Sequence, residues 1–151
     1  MDQNVGNDIR HIVCAVRGQP ESRETITLAI DLALQHKARL TFFHVIDAEF
    51  LAYATVGPPR LIYQELVAMA EFTMLILKDR AERRGVQAVD YLIREGNVRK
   101  QICNFAVETH ADLLIVGRPK PGPKRRIFKE GEIEEVVAEL EKEANVKIVL
   151  V

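Results

Sequence analysis

The sequence has no tryptophan, only two cysteines, and aromatic residues at just 6% of its 151 positions. Cys14 and Cys103 lie far apart in apolar runs, without the spacing of a metal site or a redox pair. They therefore predict free thiols of the hydrophobic core, in a reducing compartment, rather than nucleophiles. A chain of this length buries enough surface to fold without a disulfide or a metal ion.

Long apolar runs and an excess of one sign of charge are also missing. No run approaches the ~18 residues that a membrane helix needs, and the first ten residues lack the apolar core of a signal peptide. The 21 Lys and Arg residues nearly balance the 22 Asp and Glu residues, so net charge does not favour nucleic acid or a membrane surface as a partner. We expect a soluble, cytoplasmic protein with a flexible tail over 1–10 and a single domain over 11–151.

What is present is a regular alternation of two patterns. Short apolar runs predict buried strands at 11–16, 39–46, 86–94, 112–117 and 146–151. Between them, apolar residues at helical spacing predict helices that end near residues 36, 84, 110 and 143. Such apolar strands, alternating with helices, are typical of a parallel sheet with helices on both faces. The sequence therefore predicts an α/β fold with a five-stranded parallel sheet.

Local signals mark the ends of two helices. Gly85 is placed to end the second helix, whereas Gly96 and Asn97 predict a turn followed by the N-cap of the third. His110 is expected in the last turn of that third helix, where the helix dipole favours a cation. The second helix, over about 60–84, has mixed faces, shown at helical spacing by Leu61, Glu65, Met69, Phe72, Ile76, Asp79 and Arg83.

A ligand is expected at the carboxyl edge of the sheet, the edge at which the carboxyl ends of the strands lie. Open α/β sheets bind ligands there, at the point where the strand order reverses. For the order 3-2-1-4-5, that point lies between the first and fourth strands. The residues that follow these strands are Val16 and Arg17 on one side and Gly117 and Arg118 on the other.

Several segments together resemble one known family. They are the first strand with its short turn, His44-Val45-Ile46-Asp47 at the end of the second strand, Gly96 before the third helix, and Ala111 to Gly117 around the fourth strand. In their order and spacing, residues 11–151 resemble the universal stress proteins. The resemblance implies one Rossmann-like domain of the adenine nucleotide alpha hydrolase-like type, with strand order 3-2-1-4-5.

The members of this family that bind ATP share a Gly-x-x-Gly, nine residues, Gly-Ser/Thr pattern after the fourth strand. Glycines allow backbone N–H groups to approach phosphates, and a hydroxyl at a helix N-terminus completes the cradle. This sequence has Gly117 at the first position but Lys120 at the second, with Gly122 as the nearest glycine. Its final pair is Gly131-Glu132, one residue late, with a carboxylate in place of the hydroxyl.

A further departure follows the first strand. ATP-binding relatives have an aspartate there, near the ribose and the metal-bound phosphates, whereas this chain has Arg17. Val45, whose backbone meets adenine in the family, is retained. We therefore expect ATP to bind weakly or not at all, and we leave the cofactor open as a nucleotide or another phosphate-containing anion.

Nine basic residues are expected near the carboxyl edge, and they permit two interpretations. They are Arg17, Arg99, Lys100, Arg118, Lys120, Lys124, Arg125, Arg126 and Lys129. One interpretation is an anion site, for a nucleotide, a polyphosphate or an acidic partner, built from side chains where relatives use glycine amides. The other, which we favour, is a solvated surface neutralised by the glutamates of the last helix.

The sequence shows no catalytic constellation. None of its four histidines is paired in sequence with a nucleophile, and His44, inside a predicted strand, is expected to be a hydrogen-bonded core residue. We predict a non-catalytic regulatory or stress-response module; a nucleotide or anion sensor is the alternative, and an enzyme of the wider nucleotide-binding group is the least favoured. The apolar edge strand also predicts a homodimer through Val146, Ile148 and Leu150.

Overall fold

The computed structural model describes residues 8–16, 23–47, 59–117, 132–143 and 146–151. Its strands are β1 (His11–Ala15), β2 (Arg39–Asp47), β3 (Val89–Gly96), β4 (Leu113–Val116) and β5 (Lys147–Leu150). Its helices are α1 (Arg23–His36), α2 (Pro59–Arg84), α3 (Val98–Thr109) and α4 (Glu132–Glu143). The alternation of strands and helices that the sequence predicts is confirmed.

The strands form one parallel sheet in the order β3-β2-β1-β4-β5. The central strand β1 pairs with β2 on one side and with β4 on the other, so that Ala15 lies between Phe43 and Val116. The strand order therefore reverses at β1: β2 and β3 lie on one side of it, and β4 and β5 lie on the other. This is the order 3-2-1-4-5 that the family resemblance implies. The carboxyl ends of β1 and β4 lie next to each other.

Each face of the sheet carries its own hydrophobic cluster. Side chains alternate along β1, so Ile12 and Cys14 enter one cluster and Val13 enters the other. The first cluster is completed by α1 and α2, and the second by α3 and α4, whose contribution includes the buried Leu140. Burial on both sides explains why these strands are nearly continuous apolar runs.

Helix α2 ends in a left-handed residue, and this ending moves the start of β3. Gly85 has a φ of +109°, its N–H donates to the carbonyl of Glu82 (3.0 Å), and the N–H of Val86 donates to the carbonyl of Ala81 (3.1 Å). This is the hydrogen-bond pattern of a Schellman motif, with an apolar residue directly after the glycine. Val86 is buried as part of the helix ending, so the predicted start of the third strand at 86 is wrong, and β3 begins at Val89.

Two positions around α3 also differ from the sequence prediction. Gly96 is the last residue of β3, with a φ of +144°, and is not part of a separate turn. His110 lies just beyond the helix as its left-handed C-cap, with a φ of 53°. The predicted N-cap is confirmed, since the side chain of Asn97 accepts a hydrogen bond from the N–H of Lys100 (3.0 Å).

The chain before β1 is held at the amino edge of the sheet. The N–H groups of Arg10 and His11 both donate to Oδ2 of Asp112 (2.9 Å each), and the Arg10 carbonyl accepts from the N–H of Arg39 (2.8 Å). Arg10, the last residue of the predicted tail, is therefore anchored, and residues 1–7 of that tail lie outside the described residues. No helix in the described ranges combines the length and the apolarity needed to cross a membrane.

Strand β5 ends the sheet opposite β3. The N–H of Lys147 donates to the carbonyl of Asp112, just before β4 (3.2 Å), and the N–H of Val151 donates to the carbonyl of Val116, at the end of β4 (3.1 Å). Since N–H directions alternate along a strand, the N–H groups of Ile148 and Leu150 point away from β4, towards the open edge.

Candidate functional site at the carboxyl edge

The switch point brings together Val16 and Gly117, the residues that follow β1 and β4. Their strands are paired through Ala15 and Val116, so the two chain ends emerge side by side at the carboxyl edge. Three of the seven predicted site residues, Val16, Val45 and Gly117, lie among the described residues. The other four predicted site residues, Arg17, Arg118, Lys120 and Gly122, lie outside them.

Val16 is fixed by two hydrogen bonds at the end of β1. Its N–H donates to the carbonyl of Phe43 (2.8 Å), and its own carbonyl accepts from Nδ1 of His44 (2.7 Å). Because a carbonyl can only accept, Nδ1 of His44 carries the proton of this hydrogen bond. Both polar backbone groups of Val16 are thus used within the chain.

His44 is hydrogen-bonded, as predicted, but it is not a residue of the buried core. The ring is half-buried and lies at the carboxyl edge, beside the end of β1, rather than in the interior. Sequence reasoning did not include His44 in the site. Its position directly before Val45, near the end of the second strand, was the available signal.

Val45 offers a ligand its backbone rather than its side chain. The side chain is half-buried against the cluster formed with α3 and α4. In the β2–β3 pairing its partner is Arg94. The guanidinium of Arg94 is not free for an anion, because it donates to both carboxylate oxygens of Glu108 (2.8 and 3.0 Å) and lies over the ring of Phe105, 5.3 Å from its centre.

Gly117, the glycine after β4, lies in close contact with α1. A Cβ atom placed on Gly117 would lie 3.1 Å from Oγ1 of Thr25, which is buried at the start of α1. Any side chain here therefore crowds the contact between the end of β4 and α1. Sequence reasoning read Gly117 only as part of a phosphate-binding pattern and missed its partner Thr25.

Two of the nine predicted basic residues, Arg99 and Lys100, lie among the described residues. Both are in the first turn of α3, which starts at the carboxyl edge. Arg99 forms an ion pair with Glu139 of α4 (3.1 Å), as the interpretation of a surface neutralised by the last helix requires. Lys100 is exposed. The other seven basic residues lie outside the described residues.

The cysteines and the metal-ligating types show no site in the described residues. Cys14 is completely buried, and burial raises the pKa of its thiol to about 12, which keeps it protonated at neutral pH. Cys103 is half-buried against the second cluster. Within the described ranges, no three His, Cys, Asp or Glu side chains are grouped so that they could hold a metal ion.

Comparisons with known proteins agree with this architecture. A crystal structure of a universal stress protein family member from Burkholderia pseudomallei has a TM-score of 0.68 at 21% identity, covering 95% of this chain and 96% of that one. A universal stress protein in complex with cAMP has a TM-score of 0.62 at 19% identity, covering 95% and 97%. The universal stress protein from Archaeoglobus fulgidus in complex with dAMP has a TM-score of 0.61 at 15% identity, covering 95% and 98%. No curated protein matches the sequence.

The parallel sheet in the order 3-2-1-4-5, with helices on both faces, defines a Rossmann-like α/β protein of the adenine nucleotide alpha hydrolase-like fold. The model of the universal stress protein family matches residues 8–151, nearly the whole sequence. The chain belongs to the universal stress protein family.

Proposed function

We propose that this protein is a non-catalytic regulatory module of the stress response that does not bind ATP in the mode usual for its family. The proposal is carried by the residue that begins α4. That helix begins with Glu132, which stands, one residue late, in place of the serine or threonine of ATP-binding relatives. Helix N-termini attract phosphates, but a carboxylate at this position repels them and supplies no donor. Arg17, in place of the relatives' aspartate, removes a second element of that mode.

Isothermal titration calorimetry with ATP, with and without Mg²⁺, tests this proposal. We expect no binding at micromolar concentrations. A triple variant, Arg17→Asp with Lys120→Gly and Glu132→Ser, restores the family's residue types and should bind ATP more tightly than the parent. A parent that binds ATP with micromolar affinity in a Mg²⁺-dependent way would overturn the proposal.

A second function, an anion or nucleotide sensor, is favoured by the relatives solved with cAMP and dAMP. Arg94 and Arg99 are each held by a glutamate, so they contribute little free positive charge. Such a sensor would therefore depend on Arg17 and Arg118, which follow the adjacent ends of β1 and β4.

The sensor is tested by the melting temperature of the protein with AMP, cAMP or inorganic phosphate. If it exists, Arg17→Ala or Arg118→Ala reduces the stabilisation by these ligands, and added salt weakens it. Arg10→Ala is the matched control, because Arg10 is an exposed arginine at the opposite edge of the sheet, paired with Asp8. Equal ligand-induced shifts in all four proteins would leave the basic residues as a solvated surface.

We propose, in addition, that two copies pair through β5 around a two-fold axis. The support is the outward direction of the Ile148 and Leu150 N–H groups, together with the half-buried side chains of these two residues. Of the predicted dimer residues, Val146 is 1% exposed in the single chain. Its side chain belongs to the chain's own core and leaves the contact to Ile148 and Leu150.

A further inference from the structure

Among the described residues, helix α2 carries an apolar face that is largely exposed. Five of the six large apolar side chains that are exposed among the described residues belong to this helix, with exposures between 45% and 67%. They are Leu61, Met69, Phe72, Leu75 and Ile76. These five residues form what we call the α2 stripe.

Four members of the α2 stripe, Met69 to Ile76, lie on successive turns, and Leu61 lies about two turns before them, beyond Glu65. At about 100° per residue, all five members fall within an arc of about 120° on the helix. The residues by which α2 packs on the sheet, Ala70, Met74, Leu77 and Ala81, are buried and lie on the opposite side of the helix. The helix therefore has two apolar faces, and only the face with Met74 is buried against other described residues. The stripe exposes roughly 500 Å², the upper part of the range for the largest patch on a typical monomer.

The charges in line with the stripe indicate which partner fits it. Glu65 lies in the same arc near the N-terminal end of the stripe, and Asp79 and Arg83 continue it at the C-terminal end. All three are exposed, and Arg83 contacts Asp79 (2.8 Å) within its own helix. The apolar centre of the stripe, Met69 to Ile76, is thus preceded by an anionic residue and followed by an end that carries both signs.

A second copy of the helix complements this distribution only when it runs antiparallel. With a two-fold axis between Phe72 and Ile76, Phe72 of each copy contacts Ile76 of the other. In the same arrangement, Glu65 of each copy faces Arg83 of the other. In a parallel pair, glutamate would face glutamate and arginine would face arginine, which is repulsive. The antiparallel arrangement therefore pairs Glu65 with Arg83 at both ends, and Leu61 lies beyond the paired segment because its counterpart position follows the end of the helix at Arg84.

We propose that the α2 stripe is a self-association surface, through which two copies of this chain pair by antiparallel α2 helices. This contact is separate from the β5 pairing, because α2 packs on β2 and β3 at one side of the sheet and β5 closes the other side. The patch is smaller than the ~800 Å² per partner of a standard interface, so the pairing is weak and concentration-dependent. Together, the two contacts convert dimers into tetramers or larger assemblies.

Sedimentation velocity over 5–500 µM tests the proposal, in an Ile148→Lys background that removes the β5 contact. We expect this background protein to shift from monomer to dimer as concentration rises. Phe72→Ser weakens the association at least tenfold. Val107→Ser is the matched control: Val107 is also apolar and is 50% exposed, but lies on α3, and its replacement leaves the association unchanged.

A charge exchange separates the antiparallel contact from non-specific stickiness. Glu65→Arg alone and Arg83→Glu alone each weaken association, whereas the two substitutions in one chain restore it towards the value of the Ile148→Lys background. A monomer at every concentration overturns the proposal. The proposal is also overturned if Phe72→Ser lowers the melting temperature but leaves the association unchanged. Such a result would mean that the chain itself covers the stripe. Failure of association to recover in the charge-exchanged protein overturns the antiparallel arrangement.

Discussion

The hydroxyl of Thr41 in β2 donates a hydrogen bond to Oδ1 of Asp90 in β3, over 2.6 Å. Nε2 of His11 in β1 lies 2.8 Å from the same hydroxyl. Since the single hydroxyl proton is given to Asp90, His11 must be the donor in the second bond. Arg39 pairs with the other oxygen of Asp90. This network joins three strands at the amino edge, the end of the sheet opposite the candidate ligand site.

Replacing Thr41 by valine tests what the network contributes to stability. Thr41 is only 4% exposed, so the change keeps the shape of the side chain but leaves His11 and Asp90 without a shared partner. We expect the free energy of unfolding to fall by about 1–2 kcal/mol, as measured by urea denaturation. Thr27→Val, on the exposed side of α1, serves as the control and should change it by less than about 0.5 kcal/mol.

The same network makes stability depend on acid pH through Asp90. Burial by itself raises the pKa of this carboxyl, but hydrogen bonds from Thr41 and Arg39, together with the charge of Arg39, outweigh it and hold the pKa below its usual 3.8. A carboxyl whose pKa is lower in the folded state stabilises the fold above its unfolded pKa and loses this contribution as pH falls through its folded pKa.

Asp90→Asn is therefore expected to lower the melting temperature at pH 7, with the difference from the parent shrinking below about pH 4. Melting curves between pH 7 and 2.5 measure this. Curves that stay parallel over the whole range would contradict the assignment. The half-exposed Asp31, which pairs with Arg84 on the surface, supplies Asp31→Asn as a control with a smaller effect.

Gly117→Ala tests the contact between the end of β4 and α1. The added methyl group would meet Oγ1 of Thr25 at 3.1 Å, so we expect a loss of about 1 kcal/mol in the free energy of unfolding. Combined with Thr25→Ala, which removes the crowding hydroxyl, Gly117→Ala should cost less than it does alone. Additive effects of the two substitutions would mean that the crowding is absent.

Ile148→Lys tests the β5 dimer by light scattering at low micromolar concentration, where the weaker α2 contact is dissociated. We expect a dimeric mass for the parent and a monomeric mass for the variant, because a lysine replaces an apolar residue of the shared edge. Ile148→Pro, which removes the outward N–H group together with the isoleucine side chain, should have the same effect without adding charge. A monomeric mass for the parent at these concentrations would contradict the β5 dimer. The charge-exchange variants of α2 leave this readout unchanged.

The order of the elements, the class of fold and the N-cap at Asn97 could be predicted from the sequence, because each rests on local signals. Apolar runs of strand length separated by helical spacing dictate a parallel sheet buried on both faces. A side-chain amide directly before a helix caps it wherever the helix is placed. The family resemblance then points to the strand order that the structure has.

Other features depended on tertiary contacts that no local signal contains. Val86 looks like the start of a strand, but it is the apolar residue that closes the end of α2. Gly117 fits a phosphate-binding pattern, yet its close neighbour is Thr25, 92 positions earlier in the chain (117 − 25). Phe72 has the spacing of a core residue, and only the packing of α2 on the sheet decides that it faces outward. Sequence periodicity specifies which residues share a face of an element, whereas only the packed structure decides which face meets another element and which meets solvent.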